Sequence, residues 1–475
     1  MEKSDMYETR EMQARCVIDP QGGIMTSNDG CLRIRKPARR VALWITVLSV
    51  LTLMGCGGNE PSRDEIRQVA RWVRSSSILT EAGKTWPAVP GDEKTINNTL
   101  YSGTPGIVLF FLEAYYATGD RDFLDDAKAG ADYLISTLEG ESGAGLYVGV
   151  SGIGFSLEET FKATGDEKYR DGVRDCVNRL AEGAQEAGRG LQWSETTDII
   201  SGNAGTGLFL LYLAAEWNDR PALDMAVRVG DRLIELGIPA EDGTKWAMDP
   251  QYPRLMPNFS HGTAGISYFL ASLYQKTGEK RFLDAALSGA RYLKSVAKTD
   301  GDICLIFHHE PEGEDLFYLG WCHGPVGTAR LFYRLFQVTG DEEWMRWVER
   351  GARGILESGI PEQENPGFWN NVGVCCGSAG VAEFFLSLYR IAHKQEYLDF
   401  AERMTEQIMG KATRDESGLR WIQAEHRARP DFLQAQTNLM QGAAGIGLWL
   451  LHRLEHARGG EPHIVLPDNP FRSGR

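Results

Sequence analysis

A glycine-rich turn recurs seven times along this chain, and no other feature of the sequence restricts the fold as tightly. The copies are Ser102-Gly103-Thr104-Pro105-Gly106, Ser151-Gly152-Ile153-Gly154, Ser201-Gly202-Asn203-Ala204-Gly205, His261-Gly262-Thr263-Ala264-Gly265, His323-Gly324-Pro325-Val326-Gly327, Cys376-Gly377-Ser378-Ala379-Gly380 and Gln441-Gly442-Ala443-Ala444-Gly445. They stand about 50 to 65 residues apart, a period that suits an array of helical hairpins. Each opens a run such as Ile107-Val108-Leu109-Phe110-Phe111-Leu112 or Ile446-Gly447-Leu448-Trp449-Leu450-Leu451, apolar on most sides, as in a helix enclosed by neighbours. Between these runs lie segments with a single apolar stripe: Leu124, Ala127, Ala131, Leu134 and Leu138 step by three and four. Such segments copy one another, with Phe123-Leu124-Asp125 and Tyr133-Leu134 returning as Phe282-Leu283-Asp284 and Tyr292-Leu293.

Thr-Gly-acid triplets at Thr118-Gly119-Asp120, Thr164-Gly165-Asp166, Thr277-Gly278-Glu279 and Thr339-Gly340-Asp341 separate the helices. Glycine supplies the left-handed residue after one helix, and the acid caps or complements the next N-terminus. The pattern predicts an all-α fold, a two-layer α/α toroid of seven hairpins with inner and outer helical rings. Short strands are expected only near Lys245-Trp246-Ala247 and Ile303-Cys304-Leu305-Ile306. A phosphate-cradling role for the glycines is disfavoured, because no turn carries the Lys-Ser/Thr pair of a P-loop. Close backbone packing explains them better.

The division that follows is a leader over residues 1–56, a linker and first outer helix over 57–97, the toroid over 98–460 and a tail over 461–475, in a single-copy protein. With all seven turns at one end, the residues before each glycine converge on one opening: Ser102, Ser151, Ser201, His261, His323, Cys376 and Gln441.

The run Arg33-Ile34-Arg35-Lys36-Pro37-Ala38-Arg39-Arg40 precedes an apolar stretch from Val41 to Gly55, and then Cys56. That order reads as a secretory signal, with Met25 giving a more ordinary signal length. The stretch falls short of the roughly 20 residues that a membrane-crossing helix needs. Leu53-Met54-Gly55-Cys56 resembles a bacterial lipobox, although Met54 is unusual there, and implies export with membrane contact through a lipid on Cys56; a buried core helix is the competing reading. The net charge of -15 and the lack of a Lys/Arg cluster in the body argue against a nucleic-acid partner.

Of the eight cysteines, Cys16, Cys31 and Cys56 fall in the leader, and Cys176 and Cys304 read as structural. The other three stand at neighbouring turns, in Gly320-Trp321-Cys322-His323-Gly324 and Val374-Cys375-Cys376-Gly377. Three thiolates with a free fourth position make a reasonable zinc site. A vicinal Cys375–Cys376 disulfide, or packing of all three as small apolar groups, remains open on residue types alone.

The seven turns, the Gly-Trp-Cys-His-Gly motif and the Cys-Cys-Gly turn together resemble the lanthionine synthetase C-like family, from about Asn98 to the last repeat. The resemblance implies Zn2+ held by Cys322, Cys375 and Cys376. It also implies a cyclase-like chemistry in which a thiol adds to a dehydroamino acid to form a thioether. Within that resemblance His261 takes the place of an active-site histidine able to supply a proton, and Asp198 that of an aspartate orienting it. A capping aspartate and a packed histidine are the plain alternatives. Tyr318 and His323 stand where family cyclases commonly carry Arg and Tyr; His323 either replaces the tyrosine as proton donor or pairs with backbone. His308-His309-Glu310 lacks the His-Glu-x-x-His spacing and reads as loop.

Three functions follow as expectations. The first is zinc-dependent thiol addition to a peptide or a small electrophile. The second is an exported hydrolase using zinc-bound water or carboxylates such as Glu195 and the acidic stretch from Glu310 to Asp315. The third is a non-catalytic lipoprotein that binds a peptide or thiol.

Overall fold

The computed structural model describes residues 63–252 and 254–471. The expected leader, with its lipid attachment at Cys56, lies outside the described residues.

Fourteen α-helices are present among the described residues. In chain order they are α1 (Arg63–Ser75), α2 (Thr104–Thr118), α3 (Arg121–Thr137), α4 (Val150–Thr164), α5 (Glu167–Gly183), α6 (Asn203–Glu216), α7 (Arg220–Glu235), α8 (Thr263–Thr277), α9 (Lys280–Val296), α10 (Pro325–Thr339), α11 (Glu342–Leu356), α12 (Ser378–Ala392), α13 (Gln395–Gly410) and α14 (Ala443–Ala457). The even-numbered helices form the inner ring. In α2 every residue from Thr104 to Ala114 is buried, as expected of a helix with neighbours on all sides. The odd-numbered helices bury one stripe; in α3 this comprises Phe123, Leu124, Ala127, Ala131 and Leu134. Each inner helix from α2 to α12 packs on the outer helix that follows it and beside the next inner helix, and α14 packs on both α1 and α2, closing the circle.

A circle of backbone hydrogen bonds joins the turns. Tyr101 N donates to Tyr147 O, Tyr147 N to Ile200 O, Ile199 N to Ser260 O, Ser260 N to Cys322 O, Trp321 N to Cys375 O, Cys375 N to Met440 O, and Met440 N to Tyr101 O, at 2.9–3.2 Å. Every accepting carbonyl stands two residues before the glycine that caps an inner helix, so all seven turns lie at the same end of the ring. These bonds satisfy backbone groups that burial at the centre would otherwise leave unpaired.

The second glycine of each turn is a packing device. A Cβ on Gly327 would stand 2.0 Å from Trp321 O, and the same clash with the carbonyl six residues back recurs at Gly205, Gly265, Gly380 and Gly445. This contact fixes a correction in the second repeat. Its cap is Gly149 and its packing glycine Gly152, so Val148 rather than Ser151 sits at the converging position, and Ser151 lies inside α4. Gly154 is small for another reason: Phe209 leans on it, and a Cβ there would stand 2.5 Å from the ring.

Helix ends follow the punctuation. Gly119, Gly165, Gly278 and Gly340 are left-handed C-caps, and Asp120, Asp166 and Asp341 accept from backbone N–H groups of the next helix, whereas the Glu279 side chain makes no cap bond. Where the triplet is missing, Asn218 (φ 52°) and His393 (φ 53°) take the left-handed position.

Strands are more numerous than expected. Among the described residues eleven short ones form five small antiparallel sheets between outer helices and turns, including Thr244–Lys245 and Ile303–Leu305 near the two expected places. Three hairpins are pinned by a tryptophan whose Nε1 donates to an outer-helix carbonyl 13 residues earlier: Trp193 to Leu180, Trp246 to Leu233 and Trp421 to Ile408. No helix of the described residues is long and apolar enough to cross a membrane.

Candidate metal centre

Position two before the cap glycine supplies Cys322 and Cys375, and position one before it supplies Cys376. Adjacent repeats therefore bring together residues 53 and 54 apart in sequence. Cys322 N and Trp321 N both donate to Cys375 O, at 3.2 and 2.9 Å, which locks the two turns edge to edge. Gly320 permits the approach, since a Cβ there would meet Cys376 Cα at 2.8 Å.

Cys322 Sγ lies 3.2 Å from Cys376 Sγ, Cys376 Sγ lies 3.5 Å from Cys375 Sγ, and all three sulfurs fall within 4.8 Å of one another. These separations exceed the roughly 2.05 Å of a disulfide, and the two contacts at 3.2 and 3.5 Å fall a little short of the about 3.8 Å edge of a tetrahedron with 2.3 Å zinc–sulfur bonds. Cys375 and Cys376 are thus free thiols and not a vicinal disulfide. All three are buried. Burial works against a Cys375 thiolate, but hydrogen bonds from Cys322, Cys376 and Tyr101 outweigh it and hold this thiol well below the usual range. Cys376 is pushed well above that range by its hydrogen bonds to Cys322 and Cys375, then by burial. Three buried sulfurs this close cannot all ionise beside one another without a cation, and each cysteine stands one or two residues before the glycine that caps the N-terminus of α10 or α12. The donor set fits zinc.

The Asp198–His261 pair stands at the two preceding turns. Asp198 is fully buried; its Oδ1 accepts from Ser201 N at 2.9 Å and Gly202 N at 2.8 Å, and its Oδ2 meets His261 Nδ1 at 2.6 Å. One carboxylate thus orients the histidine and closes its own turn, but it does not cap α6, whose N-cap residue is Gly202 and makes no side-chain cap bond. Ser260, the neighbour of His261, gives both N and Oγ to Cys322 O at 3.0 Å, tying the histidine turn to the first sulfur turn.

The family model for lanthionine synthetase C-like proteins matches residues 94–459. The chain belongs to this family. Among relatives of this lanthionine synthetase C-like protein, "Glutathione S-transferase LANCL1" of Danio rerio is 21% identical over 306 residues, covering 63% of this chain and 72% of that one. The solved structure of nisin cyclase has a TM-score of 0.57 at 18% identity, over 82% of this chain and 93% of that one, and shows the same fold.

The places where this lanthionine synthetase C-like chain departs from the family pattern are occupied by a buried aromatic column. The His323 ring lies 5.7 Å from that of His261 and 3.9 Å from that of His308, and Tyr318 packs against His308 at 4.5 Å and Trp369 at 5.1 Å. Neither ring nitrogen of His323 has a hydrogen-bond partner, so it does not pair with backbone. Burial, reinforced by the neighbouring histidines, pushes both His308 and His323 well below the ordinary imidazole value. His308 and His309 belong to the loop, as expected, but His308 is part of the site; its only sequence signal was histidine itself. The hydrolase carboxylates are elsewhere occupied or exposed: Glu310 pairs with Lys245 at 2.7 Å and Tyr292 at 3.1 Å, and Glu195, Glu312, Glu314 and Asp315 face solvent. Cys176 and Cys304 are buried away from the cluster, where burial raises both thiols, Cys304 to about 12.

Proposed function

We propose that this protein is a zinc-dependent enzyme that adds a thiol to the β-carbon of a dehydroamino acid or a comparable electrophile, forming a thioether. The observation that carries the reading is the convergence of three free, buried sulfurs beside a histidine whose orientation is set by a buried aspartate. The relatives support a peptide or a small thiol as the reacting partner, one being a nisin cyclase and another a glutathione S-transferase.

Zinc held by Cys322, Cys375 and Cys376 would supply a fourth position where a substrate thiol gives up its proton readily. Asp198 takes the Nδ1–H of His261, which leaves Nε2 as the working nitrogen. His261 accepts the thiol proton. The sulfur electron pair forms the new bond at the β-carbon, the π pair moves to the α-carbon, and His261 returns the proton there. Atoms balance without any further reagent. Burial of the cluster excludes water, which would compete for both the thiolate and the proton.

The test is product formation from a dehydroalanine peptide and a thiol by metal-loaded wild type and Cys322→Ala. Wild type should form the thioether and the variant, missing a ligand itself, should lose more than the ~10–100-fold typical of removing a contact that only supports a ligand. Equal product from both rejects the mechanism. Ligand binding with no turnover by wild type points instead to the non-catalytic receptor.

The N-terminal signal supports a location: export, with lipid on Cys56 holding the toroid at a bacterial membrane. Intact-mass measurement of the membrane-fraction protein should find residues 1–55 removed and a diacylated Cys56; a soluble, unacylated product contradicts it.

A further inference from the structure

The C-terminal segment does not trail away from the ring; it enters it. His463 N and Ile464 N donate to the buried Glu113 carboxylate of α2, at 3.1 and 2.7 Å, and the His463 ring stacks on Tyr116 at 4.6 Å. Pro467 O accepts from Tyr268 of α8 at 3.4 Å. Phe471 packs on Tyr333 of α10 at 5.0 Å and Phe384 of α12 at 5.7 Å. So short a segment reaches inner helices around the circle only by lying on its axis.

The deepest residue of this plug is Asp468, fully buried. Its Oδ2 accepts from Arg330 at 2.8 Å, Tyr147 Oη at 3.1 Å and Trp321 Nε1 at 3.2 Å, while Oδ1 has no partner. Trp321 immediately precedes Cys322. The indole is gripped on its other sides by Tyr147 at 5.1 Å, Phe259 at 5.9 Å and the Arg330 guanidinium at 5.9 Å. From above, Trp321 N is held by Cys375 O at 2.9 Å.

We propose that Asp468 is a positioning residue for the sulfur cluster. By fixing the Trp321 indole from the axis it sets the height of the turn that carries Cys322, and so the distance of that sulfur from Cys375 and Cys376. This role rests on the reading of the three cysteines as metal ligands. It makes the plug a support of the metal centre, acting through Trp321, with no contact of its own to substrate.

The test uses Co2+ as the probe, titrated into the full chain and followed by the thiolate-to-cobalt charge-transfer and ligand-field bands. Wild type, Asp468→Asn, Trp321→Phe and the double variant are compared, with circular dichroism and melting to show that each is folded. Asparagine removes the negative charge from the oxygen shared by Arg330, Tyr147 and Trp321, which weakens the bond that fixes the indole; phenylalanine removes the indole donor and leaves the Arg330–Asp468 pair intact. Each single variant should bind Co2+ roughly tenfold more weakly with shifted ligand-field bands, the low end of what losing a contact that supports a metal ligand costs. The double variant should be no worse than the single ones, because both cut the same link. Folded Asp468→Asn with wild-type affinity and bands overturns the proposal, and so do losses that multiply in the double variant. Should Asp468→Asn not fold, an unchanged Trp321→Phe overturns it alone. Absence of Co2+ binding by wild type defeats the metal reading itself, and this inference with it; binding by wild type with unaffected variants defeats only the role of Asp468.

Discussion

Residue chemistry at the opening is decided by the few residues before each cap glycine: the first and second for His261, Cys322, Cys375 and Cys376, and the fourth for Asp198. The backbone of each turn is committed to the hydrogen-bonded circle, so the side chains are free to vary while their places are not. Asp198 shows how one side chain serves both needs, since Oδ1 closes its own turn and Oδ2 holds His261. Asp198→Asn keeps an oxygen for the turn but offers an N–H to His261 Nδ1, which favours the tautomer protonated on Nε2. The expected result is a kcat reduced about 10²–10⁴-fold, the usual contribution of general acid–base catalysis, at unchanged metal content; steady-state kinetics with parallel metal analysis measures it. The cysteines were legible from their places at the repeating glycine turns, whereas His261 and Asp198 were marked only by the resemblance to the lanthionine synthetase C-like family. His308 and Asp468 were not legible, since they arrive from a loop and a tail that share no period with the turns.

Elements owe their arrangement to small residues and to short hairpins, and these differ in how well a sequence displays them. Gly327→Ala would drive a Cβ to 2.0 Å from the Trp321 carbonyl. It should cost about 3 kcal/mol, the upper part of the range for overpacking. Gly340→Ala, left-handed at φ 69° but with open space around it, should cost about 1 to 2 kcal/mol from backbone strain alone. Urea midpoints of the two variants give the comparison. The helices were readable because their apolar stripes run over four or five turns. The hairpins, of two to seven residues per strand, carry too few positions to show alternation; their visible trace was a tryptophan 13 residues after an outer-helix carbonyl. Buried charge also ties inner helices together. His452 of α14 meets Glu383 of α12 at 2.9 Å. Burial opposes the imidazolium, but Glu383 and then Glu113 overcome it, and His452 titrates above its ordinary 6.5. Burial likewise opposes the carboxylate, but His452 holds Glu383 below its ordinary 4.5. A raised histidine stabilises fully below 6.5 and loses its effect as pH rises through the folded value; a lowered carboxylate stabilises fully above 4.5 and loses its effect as pH falls through its own. The difference in melting temperature between wild type and Glu383→Gln should therefore be largest between about pH 4.5 and 6.5 and shrink toward alkaline pH.

At the scale of the described ring, chain ends meet: Thr437 N and Oγ1, before α14, bond to Ala88 O and Pro87 O, before α2, at 3.0 and 2.7 Å. Closure of this kind makes each turn depend on both neighbours, so the sulfur cluster is held by the whole circle and not by one loop. The circle leaves its first four turns without sulfur and concentrates three sulfurs at the fifth and sixth turns, counted where Cys322 lies two residues before its glycine. Seven turns with a common direction of hydrogen bonding bring these groups into one small volume, which repeat counting anticipated and pairwise spacing alone did not. The decisive measurement is X-ray absorption at the zinc K-edge on the purified full chain, with metal and chain quantified together. One zinc per chain with three sulfur neighbours at about 2.3 Å is the predicted result. A chain that takes up no zinc, or a first shell with fewer than three sulfurs, contradicts it.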